Sequence, residues 1–506
     1  MSRPETFRSL LRRSMGGSVA TAAKPYVAAA VALLLSSVAL YLGSGLHPIW
    51  WVLWIAPIPV LTVAPRLSRR TAFATAFVSY ALGGLNLWTY FRHALSTPLS
   101  VTLLIVALPA LAFAADVLLY RWMLTKSAWR AAVLFPSFWV ACEFLNAITS
   151  PHSTAGNLGY TQMDFLPILQ IASITGIWSI SFCVFLFSAT AAILLSGHRK
   201  AADHRTLAIV VLTLLLAVVG FGVWRLYTTP PTQHTVIVGL VASDLGQNLL
   251  TEDPSDTLRL LHDYAGQAEA LAAEGAKVIV IPEKIAVLLA ASLPEADSLL
   301  QSTAEKSQAL IVVGVIHPTT SAKWNEARLY FPDGSIRTYE KHHMLPVYEG
   351  KLTVGTTRTE WQEPSGLWGI TICKDMDFPQ LSREYGEDGV GLLLVPAWDF
   401  VADGWWHGRM AILRGVESGF SIARAPKQGI LSVSDNHGRV LAEKPTGSAP
   451  FVTLVATVPV QYVPTLYARF GDWFGWLNVA VLLLLLVTPV RRPLPPANLT
   501  TTPSSS

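Results

Sequence analysis

Eight apolar runs, each about long enough to cross a bilayer, dominate this 506-residue chain. They lie near 25–44, 47–64, 71–91, 98–120, 131–149, 165–195, 206–224 and 473–489. A bilayer offers the backbone no hydrogen-bond partner, so such runs are expected to become helices of roughly 20 residues. The charge content agrees: 14% of residues are Asp, Glu, Lys or Arg, against roughly 25% in an ordinary soluble domain. A basic start (Arg3, Arg8, Arg12, Arg13, Lys24) before an apolar run is also the pattern of a signal peptide. The further runs favour an anchored first span.

The positive residues sort the connections. Arg66, Arg69 and Arg70 fall between runs two and three, and Arg121, Lys126 and Arg130 between four and five. Arg199, Lys200 and Arg205 fall between six and seven, and Arg491 and Arg492 close the last run. The intervening connections, 45–46 and 150–164, carry almost no Lys or Arg. The positive-inside rule then places the N-terminus, the even connections and the C-terminus in the cytoplasm. The expected organisation is a basic cytoplasmic N-terminus (1–24), a seven-span membrane domain (25–227), an extracytoplasmic domain (228–465), a last transmembrane helix (466–490) and a disordered cytoplasmic tail (491–506). A net charge of +4 is small for this length and argues against a nucleic-acid partner, which needs a basic patch.

Residues 228–465 alternate strand and helix signals. VIVGLVA (236–242), VIVI (278–281), LIVVGVI (310–316), GITIC (369–373) and GLLLVPA (391–397) read as strands. ARLYF and SIRTY flank Pro332-Asp333-Gly334 as a hairpin. Leu258, Leu261, Ala265, Ala268 and Leu271 have helical spacing, as does 407–418, and Asp435-Asn436-His437-Gly438 reads as a turn. An α/β layered domain follows, with strands buried on both faces.

Of the three cysteines, Cys142 and Cys183 lie in apolar runs and only Cys373 lies in the polar region. No disulfide framework or zinc spacing exists. Glu283, Lys341 and Cys373 each sit at or just after a strand end, where α/β folds display functional groups. A thiol needs a base or a cation to become a nucleophile. A carboxylate supplies the base, and an ammonium stabilises both thiolate and oxyanion. Singly, each is an ordinary residue: a loop charge, a surface lysine, a core cysteine. His342 and His343 do not make a metal pair, since adjacent residues of an extended chain face opposite sides.

The order Glu, Lys about sixty residues on, Cys about thirty later resembles the nitrilase superfamily. With the membrane scaffold, the whole chain is similar to the bacterial apolipoprotein N-acyltransferases. Asn157-Leu158-Gly159-Tyr160-Thr161-Gln162 resembles that family's N-L-G-Y-S-Q, and Gln170-Ile171-Ala172 with Thr175-Gly176 its Q-x-A-x-x-T-G. Tyr339 to His343 with Glu349 resembles Y-x-K-H-H…E, Arg409 to Ser421 the M-x-x-x-R-A-x-E helix, and Tyr467 to Trp473 Y-x-R-x-G-D-W. The departures are local. Lys374-Asp375 stands where the family has Tyr-Glu, and Ala242-Ser243-Asp244 replaces Q-G-N. Ile281-Pro282-Glu283 replaces W-P-E, and Val395 to Phe400 replaces N-D-A-W-F-G-D.

The resemblance implies eight spans, a nitrilase-type α-β-β-α sandwich before the last span, and a place in the bacterial inner membrane. It implies Glu283 as general base, Lys341 as oxyanion stabiliser and Cys373 as the nucleophile of a thioester acyl-enzyme. A membrane phospholipid is then the acyl donor and a diacylglyceryl apolipoprotein the acceptor, acting on a monomer with no cofactor or metal. Glu349 matches a supporting carboxylate placed to orient Lys341, and Asp375 stands in for the usual glutamate. Trp398 lies in the altered stretch expected to bind substrate. Trp405 and Trp406, with Phe400, suit a mobile aromatic lid at the lipid interface or ordinary core. Glu143, a carboxylate inside a span, is functional by default or caps packing near the outer interface. The Lys374-Asp375 departure is expected to shape the acceptor pocket. It keeps open a membrane-anchored amidase or an N-acyltransferase with another acceptor, and an inactive transporter or scaffold is the non-enzymatic reading.

Overall fold

The computed structural model describes residues 7–197, 201–228 and 234–489, with side chains left out for 7–24 and 201–203. The proposed tail 491–506 and the basic pair Arg199-Lys200 lie outside the described residues. The first part of the chain is helical: α1 (Phe7–Gly43), α2 (Trp50–Ile55), α3 (Ile58–Val63), α4 (Arg69–Gly83), α5 (Leu99–Leu124), α6 (Ala128–Thr149), α7 (Leu166–Leu169), α8 (Ala172–Thr175), α9 (Trp178–Ser196) and α10 (Ala201–Tyr227). Five segments among the described residues are long and apolar enough to span a membrane: Pro25–Gly43, Leu99–Leu124, Ala128–Thr149, Trp178–Ser196 and His204–Tyr227.

Of the other expected runs, 473–489 is one shorter helix, and two further runs are broken. Run 47–64 breaks into α2 and α3 at Ala56-Pro57, because proline lacks the N–H a continuous helix needs. Run 165–195 is not one helix. α7 and α8 are single turns, and Gly176 takes φ +68 to set the chain into α9. A Cβ there would lie 2.4 Å from the Tyr467 ring. The apolar average of that run hid the side chain of Gln170, which donates to the carbonyls of Leu166 and His437 at 2.9 Å. Glu143 accepts from the Leu158 N–H at 2.8 Å, so it ties down the loop after α6.

The α/β region is two six-stranded sheets, face to face. One has the order β12-β1-β2-β3-β4-β5, with β1 (Thr235–Ala242), β2 (Val278–Val280), β3 (Leu310–Pro318), β4 (Lys323–Tyr330), β5 (Ile336–Glu340) and β12 (Val452–Pro459). The other has the order β11-β10-β9-β8-β7-β6, with β6 (Thr359–Glu363), β7 (Gly366–Ile370), β8 (Leu392–Trp398), β9 (Ser421–Lys427), β10 (Ile430–Ser434) and β11 (Val440–Pro445). β1, β2 and β3 are parallel, as are β7, β8 and β9.

Strand side chains alternate between faces. Leu240, Val280, Val312 and Leu329 meet Ile370, Leu392, Leu394 and Ala423 between the sheets. Val241, Ile279 and Ile311 point outward to α12 (Pro254–Ala273) and α13 (Leu293–Ser307), which follow the short α11 (Gly246–Leu249). After α14 (Pro346–Glu349), α15 (Pro379–Glu387) and α16 (Gly404–Ser418) cover the second sheet through Leu381, Tyr385 and Ala411. The sandwich is α-β-β-α. The chain closes with α17 (Leu466–Phe470) and α18 (Trp473–Val487).

The helical part and the sandwich share one core, to which α16 contributes Trp406, Met410, Leu413 and Val416. Its buried Arg414 donates to the Tyr160 hydroxyl at 2.8 Å, and Glu417 accepts from the Ile177 N–H at 2.7 Å. Asp472 accepts from Trp178 and from Tyr467, both at 2.7 Å.

Gly314 of β3 packs directly against the turn that carries Glu283. A Cβ there would lie 2.5 Å from the Glu283 Cα and 2.7 Å from the Pro282 carbonyl oxygen, both backbone atoms. Gly314→Ala is therefore expected to cost about 1–3 kcal/mol, read as a lower thermal unfolding midpoint. An unchanged midpoint means that the 282–283 turn yields freely.

Candidate active site

Glu283 follows β2, Lys341 follows β5 and Cys373 follows β7, so all three lie just past strand ends. The Glu283 N–H donates to the Ala397 carbonyl at 3.3 Å, which links the ends of the two sheets. The Lys341 backbone is held on both sides, its N–H on Asn325 and its carbonyl under Gly355, each at 2.9 Å.

The side chains converge. Lys341 Nζ lies 2.8 Å from Glu283 Oε1 and 2.8 Å from Glu349 Oε2. Asn325 Nδ2 donates to Glu283 at 2.6 Å and to Glu349 at 2.8 Å. Lys284 Nζ reaches Glu349 at 2.5 Å and Glu283 at 3.6 Å. Glu349 also accepts from the Leu345 N–H at 2.8 Å. All four of Glu283, Lys341, Glu349 and Asn325 are buried. Two carboxylates and two ammoniums thus offset one another away from water, as buried charge requires.

The electrostatics follow from that set. Burial pushes the Glu283 carboxyl up, but Lys284 and Lys341 outweigh it and hold the pKa low, at about 2. Burial also raises Glu349, which Lys341 and Lys284 pull below the usual carboxylate range against Glu283. Burial works against the Lys341 charge, and Glu283, Glu349 and Cys373 reverse it, keeping the ammonium well above its ordinary pKa. For Cys373, burial pushes the thiol up and Glu283 adds to it, while Lys341 and Arg424 pull down without prevailing. The field at the site thus favours the thiol form of Cys373 and the ionised form of Glu283.

Cys373 does not end a strand as expected. β7 stops at Ile370, and Cys373 opens a 3₁₀ turn, Cys373–Asp377, at φ +47. This left-handed conformation is rare for a residue with a Cβ, and strain of this kind gathers at functional sites. The thiol points to the Trp398 carbonyl at 3.5 Å.

Asp375 holds that turn from beneath. Its Oδ2 accepts from the Tyr339 hydroxyl at 2.7 Å and the Ile372 N–H at 3.1 Å. Its Oδ1 accepts from the His343 N–H at 2.8 Å and the His342 N–H at 3.2 Å, with His343 Nδ1 at 3.0 Å. Lys374 turns the other way, to Asp377 at 2.9 Å and His152 Nδ1 at 3.4 Å, in the loop after α6. Asp375 is fully enclosed under the turn, and Lys374 faces the helical part of the protein. His342 meets the Thr357 carbonyl at 3.2 Å and His343 stacks on Phe378, 3.6 Å between centroids.

Trp398 lies in the site. Its indole sits 3.5 Å from Lys427 Nζ and 5.3 Å from Lys284 Nζ, and its Nε1 donates to Gln428 at 2.8 Å. Trp405 and Trp406 lie at the start of α16. They pack toward the helical part, Trp406 on Tyr160 at 5.7 Å and Trp405 near His47 at 6.2 Å. Phe400 instead meets Tyr348 at 5.4 Å, whose hydroxyl donates to the Leu95 carbonyl at 3.0 Å. Asn325, Lys284, Arg424 and Lys427 were not foreseen. Lys284 stood beside Glu283 in IPEK, whereas the other three sit in strands whose pattern gives no functional signal.

Two family models match the chain. One, described as the apolipoprotein N-acyltransferase N-terminal domain, matches residues 25–190, and one described as carbon-nitrogen hydrolase matches 240–465. The apolipoprotein N-acyltransferase of Geobacter metallireducens is 27% identical over 485 residues, covering 87% of this chain and 91% of that protein. That of Haemophilus ducreyi is 24% identical over 463 residues, covering 84% and 90%. Among solved structures, an amidase mutant from Nesterenkonia sp. AN1, with an acetamide moiety covalently added at its active-site cysteine, matches at 20% identity and TM-score 0.40, covering 50% of this chain and 99% of that one. A CN-hydrolase superfamily protein from Xanthomonas campestris matches at 17% identity and TM-score 0.38, covering 51% and 98%.

Asp375→Ala removes the acceptor from several buried donors, each costing about 1–3 kcal/mol when left unpaired. Asp375→Asn, which keeps one acceptor oxygen, is expected to lose about 1–3 kcal/mol and the alanine variant more. Thermal unfolding checks the order, and equal midpoints for Asp375→Ala and the parent protein would refute it.

Proposed function

The chain belongs to the apolipoprotein N-acyltransferase family and is an acyltransferase, and we propose that it moves a fatty acyl chain from a membrane phospholipid to the N-terminal amine of a diacylglyceryl-cysteine apolipoprotein. The observation that carries the chemistry is Lys341 held between Glu283 and Glu349 beside a thiol on a left-handed turn. Glu283 takes the Cys373 proton as sulfur attacks the ester carbonyl. The electron pair of the C=O bond moves to oxygen, where Lys341 stabilises it. As the oxyanion collapses, the C–O bond to the glycerol breaks, Glu283 returns the proton, and lysophospholipid leaves a thioester on Cys373. The acceptor amine then attacks the thioester carbonyl and Glu283 takes an amine proton; as the C–S bond breaks, Glu283 returns that proton to sulfur, giving the amide and the free thiol.

The resting charge state sets the order of events. A thiol raised by burial does not give its proton to a carboxylate as acidic as Glu283 in advance. Transfer becomes favourable only as negative charge passes through sulfur to the oxyanion near Lys341, so proton transfer and attack are coupled. Glu349 is the positioning residue that keeps Lys341 from swinging wholly onto Glu283. Thioester to amide is downhill, so no cofactor or metal is needed, but water must be kept out.

Cys373→Ala is expected to abolish the acyl adduct seen by mass spectrometry after exposure to phospholipid, and Cys373→Ser nearly so. Glu283→Gln is expected to slow acylation roughly 10²–10⁴-fold. Near-normal acylation in any of these removes that residue from the set. A hydrolysed amide substrate with no acyl adduct on the parent protein would favour the amidase reading.

We also propose eight spans in the bacterial inner membrane, with α2–α3 and α18 as short ones and residues 228–465 on the extracytoplasmic side. The placement of Arg66–Arg70, Arg121–Arg130 and Arg205 supports this. Alkaline phosphatase fused near Ser255 is expected to be active, and fused after Lys200 inactive. The reverse pattern would overturn the orientation and the lipoprotein substrate with it.

A further inference from the structure

β9 ends behind the site with a residue that the acyl-transfer scheme does not use. Lys427 is fully enclosed. Its Nζ donates to the Lys284 carbonyl at 2.9 Å and to the Leu249 carbonyl, and lies 3.5 Å from the centroid of the Trp398 indole. Two carbonyls and a π face meet the ammonium. Burial and the neighbouring Lys284 push its pKa well down, against the opposing pull of Glu283 and Asp244. Packing alone does not account for a lysine here. A methionine would fill similar space without burying a charge, which is costly unless well partnered.

The acceptors share one property. Lys284, at φ +50, closes the turn that carries Glu283. Trp398 offers the carbonyl that faces the Cys373 thiol. Leu249 ends the helix that follows β1. One amine thus joins the base, the strand end at the nucleophile and the loop from the other edge. We propose that Lys427 is a positioning residue for acylation, a buried cation that locks the Glu283 turn to the strand end facing Cys373 and adds its charge to the field on Glu283. The substrate step of this inference rests on the acyl-transfer reading above, but the effect on the thiol does not.

The charged and titratable groups around the pair are Lys284, Lys341, Glu349 and Cys373 facing Glu283, and Lys284, Glu283 and Asp244 facing Lys427. Removing a cation from this set raises the pKa of both the carboxyl and the thiol. The test compares Lys427→Met, Lys427→Gln and Lys427→Arg in the full chain. Alkylation of Cys373 by iodoacetamide is followed across pH at the Cys373 peptide, and thioester formation is followed with phosphatidylethanolamine micelles.

For Lys427→Met, both rates at neutral pH are expected to fall about ten- to a hundredfold, the scale of a small misplacement, with the lipid KM unchanged. Both pH curves are expected to move upward by about half a unit or more, and Lys427→Arg to keep them near the parent position. A rate within about twofold of the parent, or a slower rate with unmoved curves, overturns the proposal. If Lys427→Met does not fold, the Gln and Arg variants decide, and equal curves for the two overturn it. If the parent is alkylated at Cys373 but never acylated, the acyl-transfer reading fails and the alkylation curves alone judge Lys427.

Discussion

A single buried ammonium, Lys341 between Glu283 and Glu349, is the interaction on which the site depends. Charge taken out of water is stable only when its partners stay put. Here the partners come from separate pieces of chain: the turn after β2, the end of β5 and the short helix α14. Asn325 of β4 donates to both carboxylates and fixes their spacing. Lys284 adds the second positive charge, so the group is neutral as a whole. All of these lie in the first sheet or beside it, so β2, β4 and β5 must take their places in that sheet before the set can close.

The nucleophile is held by a different device. Cys373 sits on a left-handed turn whose backbone is bonded by Asp375 from below. Asp375 also grips the backbone of His342 and His343, just past Lys341. One carboxylate therefore sets the thiol turn and the lysine segment relative to each other. It does so while fully enclosed.

α16 joins this machinery to the helical part. Its outer face enters the core of the membrane-type helices through Trp406, Met410 and Leu413, while Ala411 covers the second sheet. The polar contacts at the same seam use Tyr160, Gln170, Tyr467 and Asp472. Those residues belong to the short motifs that carried the family resemblance. Their visible work is to tie the two parts together, at a seam where every polar group must find a partner away from water.

The sequence by itself determined the apolar runs, the alternating strands of the sandwich and the three residues that precede or begin turns at strand ends. Each is a local property: bilayer-length hydrophobicity, a short apolar run bounded by turn residues, or a polar residue breaking an apolar strand. It also named Glu349 and Asp375, though by resemblance rather than by any local signal. Only the tertiary structure decided that 165–195 is broken at Gly176, since the ring that crowds it comes from Tyr467, far along the chain. Only the fold could show that Trp405 and Trp406 start a packed helix, and that Lys374 turns from the thiol to His152. The same holds for Asn325, Lys284 and Lys427. Their meaning lies in distances of a few ångströms between residues scores of positions apart, and hydrophobic periodicity carries no information about which side chains those are.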